Sequence, residues 1–100
     1  MSISIEVELS PIFQTVRLPS RLFIDLEGEE ATVKGLLDRL SLEWGDKIHS
    51  LLFEKGEDSV LSGLMVMVND RTFTGTALNQ QTIHLHSGDK VSLLYFVSGG

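Results

Sequence analysis

Two glycines, Gly99 and Gly100, follow an apolar run from which only Ser98 separates them, and they are the residues with the clearest chemical potential in this sequence. At an average glycine usage of about 7%, such a pair occurs by chance at this position in roughly 0.5% of chains. Coincidence or truncation is the alternative to a functional role for the pair. Because glycine has no Cβ, such a tail fits a narrow slot, and the Gly100 carboxylate can enter another enzyme's active site. Activation as an acyl-adenylate would make that carboxylate an electrophile for sulfide, persulfide, a thiol or an amine. The chain would then be a substrate and a carrier.

Other side chains with chemical potential form weaker patterns. His84 and His86 would share one face of a strand and could begin a metal site, but exposed positions beside a turn are the simpler interpretation. The pairs Glu29-Glu30 and Glu57-Asp58 lie in predicted solvated loops and indicate surface charge. Neither a phosphate-binding glycine loop nor a Ser-His-Asp motif occurs. We therefore expect no bound metal and no catalysis by the chain alone.

The composition excludes several classes of protein. Eight basic and fourteen acidic residues among 100 give a net charge of -6, which disfavours binding to nucleic acid or to an anionic membrane. The absence of cysteine excludes a disulfide framework and a thiolate nucleophile. The longest apolar run, residues 64–68, is far shorter than the roughly 20 residues that span a bilayer. With no basic start and apolar run typical of a signal peptide, a cytoplasmic protein is expected.

The first half of the sequence predicts two strands and a helix. Apolar residues alternate over residues 2–9 and again over 21–27, with a proline-bracketed loop over residues 10–20 between them. Thr32 is a candidate N-cap for an amphipathic helix of about three turns that extends to Trp44. Gly35 within it is expected to let the helix lie close to a sheet. Residues 46–62 indicate a short helical turn and a charged loop.

The second half predicts further strands. Residues 64–68 form a strand, in which core packing accounts for Met65 and Met67, and an Asn-Asp turn leads to residues 72–74. After a polar stretch over residues 79–81 and a Gly-Asp turn, residues 91–97 form the last strand. The order predicts an α+β fold with one main helix packed on one face of a mixed sheet, compatible with a β-grasp (ubiquitin-like) roll. Residues 1–97 would be its single domain and residues 98–100 a mobile tail.

Residues 88–100, Gly-Asp-Lys-Val-Ser-Leu-Leu-Tyr-Phe-Val-Ser-Gly-Gly, resemble the ending of the MoaD/ThiS family, the ubiquitin-like sulfur carriers of molybdopterin and thiamine biosynthesis. Val68-Asn69-Asp70 resembles the family's strand-ending hairpin, and residues 32–40 resemble its helix. The resemblance implies that an E1-like adenylyltransferase, using its own ATP and Mg²⁺, activates Gly100, with Gly99 as the flexible lead. The resulting thiocarboxylate would serve the molybdopterin synthase large subunit or another sulfur-accepting enzyme. No cofactor is expected on the chain itself.

Two departures from the family pattern keep alternatives open. Molybdopterin-type members often have a Pro-Pro pair before the tail, where this sequence has Tyr95-Phe96. The loop over residues 10–20 and the segment over residues 46–62 are longer or differently composed than in compact members, so a carrier for another sulfur pathway and a ubiquitin-like modifier that forms isopeptide bonds with lysines are alternatives. A noncovalent interaction module with a chance diglycine belongs to a different class.

The last strand also predicts a surface for partner binding. If Val91, Leu93 and Tyr95 point toward the helix, the alternate residues face away from it. Beside the tail these form an apolar patch suited to a partner, made of Ser92, Leu94, Phe96 and Ser98. Coverage of the patch by the loop over residues 10–20 is the alternative. We hypothesise that Phe96→Asp weakens partner binding without unfolding the domain.

Overall fold

The computed structural model describes residues 2–10, 19–54 and 59–95. Within these ranges the strands are β1 (Ser2–Leu9), β2 (Arg21–Glu27), β3 (Leu64–Val68), β4 (Arg71–Thr74) and β5 (Lys90–Tyr95). The α-helices are α1 (Val33–Trp44), α2 (Asp46–Leu52) and α3 (Gly75–Gln80), and a 3₁₀ turn, Gly28–Glu30, joins β2 to α1. The predicted tail over residues 98–100 and most of the predicted loop over residues 10–20 lie outside the described residues.

The strands form one mixed sheet in the order β2-β1-β5-β3-β4. The first and last strands pair in parallel at its centre, with Val7 opposite Val91, whereas the other neighbouring strands pair antiparallel. This is the mixed sheet of the predicted β-grasp arrangement. The strand that leads toward the diglycine is therefore supported on both sides.

One face of the sheet forms the hydrophobic core. Cross-strand register aligns the buried residues in rows, such as Val7, Val91 and Val68 on three neighbouring strands. The helices cover these rows with buried aliphatic side chains, namely Val33, Leu36, Leu37, Leu40, Ile48, Leu52 and Leu78. Burying each such side chain stabilises the fold by roughly 1.5–3 kcal/mol. The opposite face of the sheet, here called the open face, presents the alternate residues of each strand.

The main helix begins at the predicted cap. The backbone N–H of Gly35 donates to the Thr32 hydroxyl at 3.0 Å, which satisfies one of the unpaired amides at the helix start. The prediction that Gly35 lets α1 approach the sheet is wrong. A Cβ at this position would overlap the carbonyl oxygen of Glu30, so the glycine accommodates the preceding 3₁₀ turn.

Gly35→Ala is expected to lower the free energy of unfolding by about 1–3 kcal/mol, because the backbone must move away from the new methyl group. In an unobstructed helix the same change would stabilise the fold by about 1 kcal/mol. Urea denaturation measures the difference. Gly63→Ala is the control, since no atom lies within 4 Å of a Cβ there, and its unfolding free energy should hardly change. A Gly35→Ala protein as stable as the wild type would contradict this assignment.

The structure contains more helix between the strands than the sequence pattern predicts. The predicted short turn is α2, a helix of seven residues, and the polar stretch over residues 79–81 overlaps α3, which was not predicted. The Thr74 hydroxyl caps α3 by accepting from the Ala77 backbone N–H at 3.2 Å. A Cβ on Gly75 would overlap the Leu61 carbonyl oxygen, so this glycine permits close packing at the start of α3.

Candidate functional site

The central strand β5 is the last described element before the diglycine in the sequence. Its neighbours are β1 on one side and β3 on the other, with Leu93 opposite Leu9 and Val66. Beyond β1, the Ser10 backbone N–H donates to the Leu93 carbonyl oxygen at 3.1 Å. The backbone is thus held up to the last described residues. The predicted site residues Phe96, Ser98, Gly99 and Gly100 lie beyond them, and their roles stay predictions.

Two of the sequence motifs meet in space at the start of β5. The Asn69 side chain donates through Nδ2 to Asp89 Oδ1 at 3.0 Å, and its Oδ1 accepts from the Lys90 backbone N–H at 3.1 Å. Asp89 Oδ2 in turn accepts from the His86 backbone N–H at 2.8 Å. Asn69 has a φ of 57°, which asparagine tolerates better than most residues. This clasp of Asn69, Asp89 and Lys90 fixes the start of β5 against the turn after β3.

Asn69→Gly is expected to lower the free energy of unfolding by about 1–2 kcal/mol, because it removes both side-chain hydrogen bonds and keeps the positive φ accessible. Urea denaturation provides the measurement. Asp70→Gly introduces the same backbone freedom at the neighbouring turn position and serves as the control. Equal losses in the two variants would show that the clasp does not stabilise the fold.

The open face divides into an apolar half and a charged half. In the apolar half, Leu94 lies opposite Met65 and Ser92 opposite Met67, and all four side chains are half-buried. The predicted orientation of β5 is confirmed for Val91 and Leu93, which are buried, and for Ser92 and Leu94, which face away. The side chains of Tyr95 and Phe96 are outside the described part. The apolar half therefore lies directly beside the end of β5.

The sequence pattern predicts that Met65 and Met67 serve core packing, whereas the structure places both on the open face. Their alternation with the buried Leu64, Val66 and Val68 is the signal that places them on the opposite face. Methionine side chains adapt to differently shaped partners, which suits a docking surface. We include Met65 and Met67 with Ser92 and Leu94 in the candidate site.

The charged half of the open face lies on β1, β2 and the start of β5. Glu8 contacts the Lys90 ammonium at 2.9 Å and the Arg21 guanidinium at 3.4 Å, and Arg21 also contacts Glu6 at 3.4 Å. The hydrogen bond from Lys90 holds the pKa of the Glu8 carboxyl below its ordinary value. The alternating charges produce a polar border beside the apolar half.

The histidines and acidic pairs do not converge on a second site. His84 and His86 are exposed, and no three or more His, Asp or Glu side chains in residues 2–10, 19–54 and 59–95 could together hold a metal ion. Glu30 pairs with Arg39 at 3.5 Å, and Glu57-Asp58 lies outside the described ranges. In that same part of the chain, no helix has the length and apolar character that crossing a bilayer requires.

A family model described as the ThiS family matches residues 16–100. No curated protein sequence matches the chain significantly.

Several solved structures share the fold. HVO 2177 of Haloferax volcanii is 25% identical, with a TM-score of 0.75 over 99% of this chain and 88% of that one. SAMP1 of Haloferax volcanii is 28% identical, with a TM-score of 0.74 over 97% of this chain and 99% of its own. A Pyrococcus furiosus protein provisionally described as molybdopterin converting factor subunit 1 is 19% identical, with a TM-score of 0.65 over 95% and 99% of the two chains. The last likeness concerns the fold alone.

Proposed function

Because this chain belongs to the ThiS family, a family of small ubiquitin-like carriers and modifiers, we propose that it is a sulfur carrier whose reactive group is the α-carboxylate of Gly100. The observation that most supports this is the central strand β5, which is paired on both sides and is separated from Gly99-Gly100 by only three residues in the sequence. A tail that starts from a rigid strand reaches a partner's active site with little loss of orientation. The globular body provides recognition, and the tail provides the chemistry.

The proposed chemistry takes place on a partner enzyme. The Gly100 carboxylate attacks the α-phosphorus of ATP, pyrophosphate leaves, and an acyl-adenylate forms. A sulfide sulfur then attacks the acyl carbon and displaces AMP, which leaves a thiocarboxylate and releases a proton. ATP and Mg²⁺ belong to the E1-like adenylyltransferase. The thiocarboxylate sulfur next attacks an electrophilic carbon of a substrate held by a sulfur-accepting enzyme and displaces a leaving group from that carbon. Water then cleaves the acyl–sulfur bond, which leaves the sulfur on the substrate and regenerates the Gly100 carboxylate. A molybdopterin synthase large subunit is the first candidate for the accepting enzyme, and we assign all of these steps to the cytoplasm.

We assign docking of both partners to the apolar half of the open face. Ser92 and Leu94 lie on β5 itself, next to Met65 and Met67 on β3, and Phe96 and Ser98 follow along the chain. Apolar anchors at the centre of an interface account for most of its binding energy. A partner that covers this half therefore holds the domain with its tail directed into the partner's active site.

A ubiquitin-like modifier is the second candidate. The Haloferax volcanii relative SAMP1, whose name denotes a small archaeal modifier protein, is 28% identical to this chain. The same acyl-adenylate chemistry would pass the Gly100 acyl group to a lysine amine, forming an isopeptide bond. A noncovalent interaction module would need neither reaction.

Mass spectrometry of the protein isolated from its native cell separates these functions. A C-terminal peptide ending at Gly100 in which one oxygen is replaced by sulfur supports the sulfur carrier. Lysines of other proteins that bear a branched peptide ending in Gly99-Gly100 support the modifier; after trypsin digestion this branch comprises residues 91–100, because Lys90 is the last basic residue before the diglycine. If both species are absent under conditions where the pathway is active, the result favours the noncovalent module and contradicts the proposal.

A further inference from the structure

Strand β2 is an edge strand whose outer backbone groups have no partner in the described part of the chain. The hydrogen bond from the Leu9 N–H to the Ser20 carbonyl oxygen, 2.9 Å, together with the register, shows that the backbone N–H and C=O groups of the even-numbered residues of β2 point toward β1. The amide and carbonyl groups of Arg21, Phe23 and Asp25 therefore point outward. Such an edge is a template for pairing with another strand.

The side chains at this edge are unusual for a surface that faces only water. Phe23 is 69% exposed, although it lies in the middle of a regular strand. Arg21 has acidic neighbours toward β1, Glu6 and Glu8, but among the residues described here no acidic ion-pair partner lies on its outer side. Phe23 thus lies between a basic residue, Arg21, and an acidic residue, Asp25. In an antiparallel pair of two such strands, ring can face ring and each base can face an acid.

We propose that β2 pairs antiparallel with β2 of a second copy of this chain, centred on Phe23. In this register Phe23 lies opposite Phe23 of the partner subunit, and Arg21 lies opposite Asp25 of the partner subunit. The outward-facing backbone groups of these positions then form hydrogen-bonded pairs. Aromatic pairs and opposite charges directly across antiparallel strands are both stabilising.

Charge along the sheet supports this register. Within one copy, Glu8 already contacts Arg21 at 3.4 Å and Lys90 at 2.9 Å. The proposed pairing adds Asp25 of the partner subunit beside Arg21, so that acidic and basic side chains alternate across the strands. A register shifted by two residues, centred on Ile24, would instead place the aromatic ring of Phe23 opposite the carboxylate of the partner's Asp25. Pro19 lacks the N–H that the next hydrogen-bonded pair needs, so the ladder ends there.

The proposed pairing is compatible with the proposed carrier function and does not depend on that function. The two-fold axis is perpendicular to the sheet, so both open faces lie on the same side. Because β5 is parallel to β1 and β2 is antiparallel to it, β5 ends near the Arg21 end of β2. The two copies of β5 therefore end at opposite ends of the shared sheet.

Cysteine cross-linking tests the contact and its register, because the chain has no native cysteine. Opposed residues in a hydrogen-bonded antiparallel pair have Cα atoms about 5.5 Å apart, within the range of a disulfide. Phe23→Cys is expected to form a covalent dimer under mild oxidation. Arg21→Cys and Leu42→Cys, the latter at a position 82% exposed on α1, should give only background dimer. A Phe23→Cys yield no higher than that of these controls would overturn the proposal.

Sedimentation equilibrium of variants without cysteine provides the independent measurement. The wild-type chain should show a concentration-dependent monomer–dimer equilibrium, and Phe23→Asp should raise the dimer dissociation constant by about tenfold or more, because two like charges would oppose each other. Leu42→Asp adds the same charge to another exposed apolar position and should leave the equilibrium unchanged. A wild-type chain that stays monomeric at all concentrations, or equal association of Phe23→Asp and wild type, would refute the pairing.

Discussion

Addition of a single alanine after Gly100 is expected to abolish adenylation of the protein while its free energy of unfolding stays unchanged. The added residue moves the carboxylate past the α-phosphorus of ATP and brings a Cβ into a slot that fits glycine. Pyrophosphate release, measured with the purified E1-like adenylyltransferase, ATP and Mg²⁺, should fall to the background rate. Residual release at the wild-type rate would exclude Gly100 as the reacting residue.

Ser98→Ala is the matched control for the extended tail. It changes one proposed docking side chain but keeps both the length of the tail and the two terminal glycines, so pyrophosphate release should fall by much less than with the added alanine. If Ser98→Ala reduced release as strongly as the added alanine, the assay would be reporting contacts of the tail rather than the position of its carboxylate. The two variants therefore separate chemistry from docking.

Leu94→Asp is expected to weaken binding of the activating enzyme by roughly 10- to 100-fold, the range that corresponds to losing one apolar anchor. Leu94 lies half-buried on the open face, away from the core rows, so the fold should persist. Titration by calorimetry gives the dissociation constant, and Phe96→Asp should act in the same direction. Unchanged affinity in both variants would remove the apolar half of the open face from the binding site.

Leu42→Asp is the control for charge introduced at an apolar position. Leu42 is on α1, is 82% exposed and belongs to no part of the candidate site, so affinity for the activating enzyme should not change. Urea denaturation of Leu94→Asp tests the other interpretation of this surface. If residues 10–20 cover Leu94 in place of a partner, the free energy of unfolding falls instead of the affinity.

Much of the fold follows from local patterns. Alternation of apolar residues predicted β1 with its observed ends, and the Thr32 cap with the helical spacing after it predicted α1. Helix α3 was missed because six residues with few apolar side chains produce no helical periodicity, and tight packing of Gly75 against the Leu61 carbonyl positions it. The predicted role of Gly35 was wrong because the closest neighbour of this glycine is the backbone of Glu30, a contact that the local pattern does not reveal.

The candidate site was predictable only in part. Residues Ser92 and Leu94 followed from the alternation of the last strand, whereas Met65 and Met67 joined them only through the pairing of β3 with β5. The sequence also contained both halves of the clasp, Asn69 and Asp89, as two separate turn signals. Twenty positions separate them, and their hydrogen bond depends on the hairpin and the turn meeting at the same edge of the sheet.

By itself, the sequence determined which segments are strands, which of their faces is apolar and that a diglycine follows the last strand, because these features depend only on residue type and spacing. The tertiary structure decided that β5 lies at the centre and β2 at the edge, and which side chains share the open face. The physical reason is that strand pairing joins residues far apart in the chain through backbone hydrogen bonds, which are nearly the same for every side chain. Only the complete packing of helices on one face selects among the pairings that local patterns allow.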